Sequence, residues 1–490
     1  MIADPESKPY WFINGGLRVS LLLLALSAPI SIAATQTAWA LALLFWLLRF
    51  GLVRPSIKIN AIGLAVLCFV GLSLVSSIFS YEPGVSIRKM VAVSLVTIAY
   101  LVVDTVKDRR LLIGIVALLI TGCVASCVYT FATQAIGKNL KVVSLAPDSP
   151  LRTAGILEND TILTAGGIEI HTPDDLTLAI GGADMTVPVI VYRHELLLKF
   201  DLQARQNLEL GITSWTRGRD TRAAGFYGHY TTFAESLQLV GALTLGLLIL
   251  TPGGRLSPNS ILLGLALLAI CLALFLTVTR ASWAGFAISA GVIIMMSASR
   301  KVVLICVLVA VPVAVIGLMY LQQTRNVSFI DTGDGSTSWR LIVWREALNV
   351  LSSGPRHAAV GVGMDSLKTH WQDWQMFDNG KQPIGHLHST PLQLAFERGI
   401  PAFIAWLIWM ALFLRMLYKN IRNESGDWLQ RGILLGAFGG TIGFLASGLV
   451  HYNWGDSEVV MIFYLLMGLC LAAINLSASG EVMNDAATPQ

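Results

Sequence analysis

The chain has 490 residues, of which 54% are hydrophobic and 13% are charged, and its formal net charge is +4. A chain this apolar has lipid as its main solvent, so the composition excludes an ordinary soluble globular protein. The small positive charge gives no indication of nucleic-acid binding, and no nucleic acid is expected among the partners. The composition predicts a polytopic membrane protein embedded in a lipid bilayer.

Apolar windows of about 20 residues predict about twelve transmembrane helices. A second window follows the first at once, which favours a retained helix over a cleaved signal peptide. With the N-terminus in the cytoplasm, Lys and Arg concentrate in the short cytoplasmic segments, and the short outer segments carry Arg88, Lys89 and Arg280. This bias predicts that both termini are cytoplasmic and that residues 137–228 and 322–390 lie outside. The windows cover residues 17–33, 35–49, 61–80, 89–104, 111–135, 230–250, 260–279, 281–298, 302–321, 391–414, 432–450 and 457–476.

The predicted fold is therefore an all-α polytopic membrane protein with a small α+β insert. All 6 cysteines fall within apolar spans, so neither a disulfide nor a zinc site is predicted. The predicted parts are transmembrane helices one to five in residues 1–136, the insert in 137–206, helices six to nine in 207–321, a large outer segment in 322–390, and helices ten to twelve with a cytoplasmic tail in 391–490.

The insert differs from its surroundings because apolar residues alternate with turn residues there. Strands are predicted at 141–145, 160–164, 187–192 and 196–202, and a helix at 174–180 with Thr172 as its N-cap and Pro173 at its first position.

Three short stretches of the insert, residues 147–151, 154–156 and 159–162, carry a resemblance to a known domain. With them the insert resembles a PDZ domain of the bacterial periplasmic kind. PDZ domains bind an extended peptide at a sheet edge, so the resemblance implies a peptide or protein partner. A glycine-rich carboxylate loop is not evident before Val142, which leaves a docking or structural role open.

Four arginines are predicted to lie where the membrane meets the outer solvent. Arg222 comes just before the sixth span, and Arg280 lies in a tight turn between the seventh and eighth spans. Arg340 and Arg345 share a predicted amphipathic helix suited to the membrane surface. Each could serve as an interfacial anchor, but Arg280 runs against the charge bias of the other loops. A position that opposes the topology signal favours a functional role.

Two histidines, His386 and His388, stand immediately before the tenth span. A metal site is disfavoured because no nearby cysteine or carboxylate pattern completes it. A histidine at this depth can act as a general base near neutral pH, and that is the preferred interpretation.

Together these segments resemble the O-antigen ligase and O-antigen polymerase superfamily of membrane glycosyltransferases, over about residues 210–475. The residues that carry the resemblance are those at 222–225, Thr279-Arg280-Ala281, Ser338-Trp339-Arg340 with Trp344 to Leu348, Gly361-Val362-Gly363, and His388-Ser389 with Leu392-Gln393 and Glu397-Arg398-Gly399. The family commonly has His-Asn where this chain has His388-Ser389. The assignment therefore stays open between His386 and His388, with His388 fitting the spacing to Glu397 better.

The resemblance implies a donor glycan on undecaprenyl diphosphate and an active site on the periplasmic face of the bacterial inner membrane. It implies that Arg222, Arg280 and Arg340, with Arg345 as a further candidate, bind the diphosphate. His388 would accept the proton of the acceptor hydroxyl, with His386 as the second candidate, in an inverting transfer that needs no metal or other cofactor.

Lipid A–core is the preferred acceptor, so an O-antigen ligase is the leading prediction. A polymerase or a protein O-oligosaccharyltransferase stays open on the same fold. A transporter or a PDZ-bearing scaffold without catalysis is the alternative from another class. A transporter is disfavoured because the spans carry little charge at mid-depth and no clear internal repeat is visible.

Overall fold

The computed structural model describes residues 8–52, 60–181, 186–193, 196–203, 209–219, 221–253, 257–297, 319, 335–423 and 426–486. Within these ranges, 11 helical segments are long and apolar enough to cross a membrane, which confirms the polytopic architecture. They overlap all of the predicted spans except 302–321, of which the structure describes only residue 319. The helices before the insert are α1 (Lys8–Ser27), α2 (Ile32–Leu52), α3 (Ala61–Ile78), α4 (Pro83–Ser94), α5 (Thr97–Thr105) and α6 (Arg109–Ile136).

The insert contains two short helices, and the remaining helices form the rest of the bundle and an outer layer. The insert helices are α7 (Pro150–Thr153) and α8 (Pro173–Gly181). The others are α9 (Tyr230–Leu250), α10 (Pro258–Leu276), α11 (Arg280–Ser297), α12 (Gly335–Ser352), α13 (Pro355–Val360), α14 (Leu367–His370), α15 (Met376–Gly380), α16 (Thr390–Arg422), α17 (Trp428–Ser447) and α18 (Ser457–Ala486).

Helices α9, α17 and α18 form the centre of the bundle, since 72–78% of their spanning residues are buried. Glycines bring α9 and α17 into direct backbone contact. A Cβ on Gly246 would lie 2.4 Å from the backbone nitrogen of Gly436, so a larger residue would force the two helices apart. Small residues commonly allow this close packing in membranes, where apolar side chains gain little by leaving lipid.

Helix α16 is broken near its start at Gly399, which has φ 82°. A Cβ there would lie 2.5 Å from the carbonyl oxygen of Ala359, and Pro401 follows inside the helix. The break separates a first part, residues 390–398, from the long membrane-spanning part. It leaves Arg398 at the end of the first part.

The insert is a six-stranded sheet with the order β5-β4-β2-β1-β6, and β3 pairs with β2. Its core comprises side chains such as Leu140, Val142, Ile162, Val189 and Val191, each fully buried. The predicted strands and the predicted helix are present. The strands are β1 (Leu140–Leu145), β2 (Thr161–Ala165), β3 (Ile168–Glu169), β4 (Thr186–Arg193), β5 (Leu196–Gln203) and β6 (Ile212–Arg217).

Strand β6 was not predicted, and it lies beyond the predicted domain boundary at residue 206. It pairs antiparallel with β1, with Leu140 opposite Arg217 and Val142 opposite Trp215. Five of its six residues are exposed, so the strand has no buried face. Its sequence therefore lacks the apolar alternation by which a half-buried strand is predicted. The sheet therefore runs to Arg217, five residues before Arg222.

Residues 335–390 form a folded layer with its own apolar core, and the predicted amphipathic helix is confirmed as α12. Val343 and Ala347 are fully buried in that core, which includes Phe377 and Leu387. Leu341 and Leu348 are 51% and 53% exposed on the opposite side of α12. The helix thus covers its own layer with one face, and its opposite side presents Leu341 and Leu348 on either side of the exposed Arg345.

Backbone and side-chain hydrogen bonds hold the insert, the α10–α11 turn and the start of α16 at one end of the bundle. Gln134, near the end of α6, donates to the carbonyl of Thr221 at 2.7 Å. The N–H of Ala223 donates to the carbonyl of Leu276 at 3.0 Å, and that of Thr390 to the carbonyl of Gly448 at 2.7 Å. Polar segments distant in sequence therefore meet at this end.

Candidate functional site

A cavity of about 490 Å³ opens at this end of the bundle. Its wall includes Arg222, Arg280, Arg340, His386 and His388, so five of the residues singled out from the sequence meet around one space. The other lining residues are His229, Tyr230, Thr231, Glu235, Val278, Thr279, Ala281, Ala284, Val450, His451, Tyr452 and Asp456. Arg345 is exposed on α12 and is not among the lining residues.

Two of the arginines are positioned by short, constrained segments. The guanidinium carbon of Arg222 lies 4.5 Å from the centre of the Tyr230 ring, a cation–π contact that holds the side chain over α9. Arg280 is the first residue of α11, directly after the turn that contains Val278 at φ 51°. A β-branched residue rarely adopts positive φ, so the surrounding packing must hold this turn.

The two histidines lie side by side on the segment that leads into α16. Their ring centres are 4.0 Å apart, and the backbone N–H of His388 donates to Nδ1 of His386 at 3.2 Å. The edge of Trp339, one residue before Arg340 on α12, packs against His388 with ring centres 4.6 Å apart. His388 itself has φ 48°, in the left-handed region.

Two side chains, Trp344 and Gln393, hold the backbone of Leu387 between the two histidines. We call this pair of residues the Leu387 clamp. Trp344 Nε1 donates to the carbonyl of Leu387 at 2.7 Å, and the N–H of Leu387 donates to Gln393 Oε1, also at 2.7 Å. Gln393 is 2% exposed, and its amide nitrogen donates to Glu397 at 2.9 Å. The backbone N–H and C=O of Leu387 are thus both hydrogen-bonded, each to a different residue of the clamp.

Burial keeps both histidines neutral at pH 7. Burial lowers the pKa of His386 to about 4, and the nearby His451 adds to the effect. Burial lowers the pKa of His388 to about 2, with His386 and Arg340 as the next causes. A neutral imidazole has a free lone pair, and an anion bound among the arginines would raise its pKa again by offsetting their charge. The arrangement can bind an anion and hold a proton acceptor beside it.

Glu235, His451 and Asp456 belong to the same wall but were missed from the sequence. His451 Nδ1 lies 3.0 Å from Glu235 Oε1, and Asp456 accepts a hydrogen bond from Thr232 at 2.9 Å. Burial, followed by the proximity of Glu235, raises the pKa of Asp456 to about 7. The sequence signal was the single carboxylate of Glu235 inside an apolar span, since intramembrane charges commonly mark function.

The Gly361-Val362-Gly363 segment supports the site from outside the cavity. Its N–H groups at Val362 and Gly363 donate to the carbonyls of Phe396 and Glu397, each at 2.9 Å. A Cβ on Gly361, which has φ 71°, would lie 2.4 Å from the carbonyl carbon of Glu397. The glycines therefore let this segment lie directly against the first part of α16.

Among the residues that the structure describes, no group of three or more His, Cys, Asp or Glu side chains is arranged to hold a metal ion.

Comparison with protein families gives a match over a part of the chain that carries four of the five lining residues singled out from the sequence. A family model described as O-antigen ligase matches residues 265–407, which include Arg280, Arg340, His386 and His388 but neither Arg222 nor the insert. A search of curated proteins gives no match. The family match supports the O-antigen ligase superfamily, and with it a membrane enzyme of the glycosyltransferase type.

Proposed function

We propose that the protein is a membrane glycosyltransferase that moves a glycan from undecaprenyl diphosphate to an acceptor at the periplasmic face of the bacterial inner membrane. The favoured activity is that of an O-antigen ligase acting on lipid A–core. The observation that carries the proposal is the meeting of Arg222, Arg280 and Arg340 with His386 and His388 around one cavity.

The arginines suit a diphosphate that becomes a leaving group. Breaking the bond between the anomeric carbon and the phosphate oxygen leaves the electron pair on the diphosphate, where negative charge grows. Guanidinium groups donate paired, charge-assisted hydrogen bonds to such oxygens and remain charged at any working pH. Three of them in one half-buried cavity stabilise that growing charge without a metal ion. Arg345 is exposed outside the lining, so its part would be confined to the approach of the lipid.

His388 is the proposed general base, with His386 as the alternative. The acceptor hydroxyl gives its proton to the neutral imidazole while its oxygen forms the new bond to the anomeric carbon. Attack opposite to the departing diphosphate inverts the configuration of the sugar. The lowered pKa keeps the base unprotonated before the donor binds, and the donor's negative charge then raises its affinity for the proton.

The charge bias of the loops supports a periplasmic location for this end of the bundle. Arg280 is one of three basic residues in the short segments predicted to be outer. Basic residues are rare in the short outer segments, and binding of the diphosphate would explain why Arg280 stands in one of them. The donor lipid would reach the cavity from the outer leaflet, with its diphosphate at the level of the helix ends.

The insert is proposed to be a PDZ-like module that binds a peptide segment of a protein partner. Strand β6 ends the sheet among the described strands, and its residues after Ile212 are exposed. Leu210-Gly211-Ile212 leads into β6, with Gly211 at φ 65°. The sequence shows no glycine-rich loop before Val142, at the start of the insert. In the structure, a glycine instead precedes the sheet-edge strand β6, at the end of the insert. An extended peptide could pair with that edge.

The test is transfer from an undecaprenyl-diphosphate glycan by the full-length protein in a buffer with a metal chelator. Lipid A–core, a second donor molecule and a periplasmic protein are offered separately, so a ligase, a polymerase and a protein O-oligosaccharyltransferase give different products. His388→Ala is expected to abolish transfer. Lys381→Gln, a change at a 74% exposed residue of the same outer layer, is the matched control.

Product on one acceptor that is lost in His388→Ala and kept in Lys381→Gln would support the enzyme and identify its branch. A folded protein that gives no product with any acceptor would refute the proposal and favour a transporter or scaffold.

A further inference from the structure

A second, smaller cavity of about 130 Å³ lies beside the first and has a buried arginine in its wall. Arg398 is 6% exposed, and its Nε and Nη1 atoms are buried without a hydrogen-bond partner among the residues that the structure describes. Its Nη2 atom contacts the sulfur of Met364 at 3.2 Å, and its guanidinium carbon lies 5.4 Å from the centre of the Phe69 ring. These soft contacts hold the guanidinium in the wall of the cavity without neutralising its charge.

In the described part of the chain, the carboxylates around this cavity contact groups other than the Arg398 side chain. Lys89 lies 3.2 Å from Asp365, and Lys368 lies 2.9 Å from the same carboxylate. The buried carboxylate of Glu397 instead accepts neutral donors, at 2.9 Å from Gln393, 3.0 Å from the N–H of Asp365 and 3.3 Å from Tyr452. Lys89 and the exposed Lys368 therefore share Asp365, and a bound anion would give Arg398 the negative partner that these contacts do not supply.

The position of Lys89 supports the same conclusion. Like Arg280, it is one of the basic residues that stand in short segments predicted to be outer. Arg280 lines the first cavity and Lys89 lines the second. Cations that oppose the topology signal thus occur at both cavities, which is consistent with anion binding in each.

We propose that the second cavity binds a phosphate or carboxylate group of the acceptor, held by Arg398 and Lys89. The inference rests on the proposed function. A volume of about 130 Å³ equals roughly four water molecules at ~30 Å³ each, enough for one such group. Tyr452 connects the two cavities, because its ring lies 5.7 Å from that of His386 while its hydroxyl donates to Glu397.

A phospholipid headgroup is the other source of a phosphate at this depth. Lys89 is 48% exposed and lies on α4, part of a membrane-spanning segment, so lipid can approach it. The shared wall at Tyr452 favours the acceptor, since a group held there is next to the cavity that contains the proposed base. The headgroup remains a distinguishable outcome of the test.

The experiment measures the acceptor KM of full-length protein in nanodiscs of neutral phosphatidylcholine, with native and with chemically dephosphorylated lipid A–core. Arg398→Gln is expected to raise the KM for the native acceptor roughly tenfold, through loss of a charge-assisted hydrogen bond, while the donor KM stays within about threefold. The wild-type protein should show the same rise when the acceptor is dephosphorylated, and the variant no further rise. Arg415→Gln, at an exposed position near the other end of α16, is the matched control.

Equal KM values for both acceptors in the wild-type protein would overturn the assignment to the acceptor. If the wild-type KM instead falls when anionic phosphatidylglycerol is added, and that of Arg398→Gln does not, the anion is a lipid headgroup. Should Arg398→Gln fail to fold, Lys89→Gln tests the same site from an exposed residue, and an unchanged acceptor KM there overturns the proposal.

If the wild-type protein transfers nothing, it is the proposed function that fails. Calorimetric titration with inorganic phosphate then tests the second cavity alone, using protein in which Arg222→Gln and Arg280→Gln have weakened the first. Binding that is lost on adding Lys89→Gln supports the anion site, and binding that is unaffected by it overturns the site.

Discussion

Breaking the Leu387 clamp should lower the turnover of the enzyme more than its affinity for the donor. In Gln393→Leu the N–H of Leu387 loses its acceptor, and Glu397 loses a donor at 2.9 Å. Because Gln393 is 2% exposed, water cannot easily replace either bond. The peptide between His386 and His388 would shift to find another partner, and the imidazoles would move with it.

The size of the effect follows from the cost of a buried, unsatisfied donor, about 1–3 kcal/mol. If most of that energy goes into displacing the histidines, kcat falls roughly 5- to 150-fold, since 1.36 kcal/mol corresponds to a factor of ten in rate. Trp344→Phe removes one hydrogen bond and keeps most of the ring, so it should cost about 1 kcal/mol, or roughly fivefold. The double variant should lose less than the product of the two effects, because both bonds hold the backbone of the same residue, Leu387.

The assay is steady-state transfer with separate donor and acceptor titrations, alongside a thermal melt of each variant. The donor KM should change by less than about threefold, because Arg222 and Arg280 lie on other segments. Trp374→Phe is the matched control, since that ring packs against Phe396 in the same layer and is not one of the two residues of the Leu387 clamp. A Gln393→Leu enzyme with normal kcat, or with a donor KM that rises as much as kcat falls, would refute the positioning role.

Further predictions test the arginines, the histidines and the glycine contact. Arg280→Lys should lose most transfer while its melting temperature stays unchanged, because an ammonium cannot reproduce the planar fork. The free energy of unfolding should fall as the pH drops below about 6.5: His386 and His388 have folded pKa values of about 4 and about 2, so the unfolded state binds protons first. Each histidine contributes roughly 1.4 kcal/mol per pH unit, and melts at pH 7 and pH 5 should show a smaller loss in His388→Ala. Gly361→Ala should reduce the yield of folded protein in size-exclusion chromatography, since its Cβ would lie 2.4 Å from backbone.

The sequence predicted those features whose signal is local. Eleven spans follow from long apolar windows, the helix α12 from the spacing of its apolar residues, and the strands of the insert from alternation. Arg222, Arg280 and the two histidines were found because each stands at the end of an apolar span, where a polar residue is easily seen. Arg340 and Arg345 were found because they share a predicted amphipathic helix. That they surround one cavity depends on helix packing, which a single sequence does not reveal.

The missed features depend on contacts between distant segments. His451 and Asp456 lie in a short loop between α17 and α18, and only its meeting with α9 brings them to Glu235. Arg398 follows Glu397 in a predicted span and would ordinarily be interpreted as an interfacial side chain. The break at Gly399 and the packing of Phe69 show that it is buried instead.

Strand β6 also changes how the role of the insert should be tested. Deleting residues 141–203 would leave β6 without β1, its hydrogen-bonded partner. The ends of the complete insert meet instead at its base, where the N–H of Lys138 donates to the carbonyl of Gly218 at 3.1 Å and that of Gly218 to Asn139 at 2.7 Å. Removing residues 139–218 and joining the ends with a short Gly-Ser linker should therefore preserve the bundle.

If the insert recruits a protein partner, this deletion should keep transfer by the purified protein near normal but change product amount or glycan length in cells. The control is the 141–203 deletion, which should fold less well because β6 is left unpaired next to Arg222. Loss of transfer in the purified 139–218 deletion, despite a normal melt, would show that the insert shapes the cavity itself. Unchanged product and glycan length in cells would remove the reason to assign the insert a partner. The deletion removes β6, so a peptide that acts on the reaction by binding β6 would lose its effect.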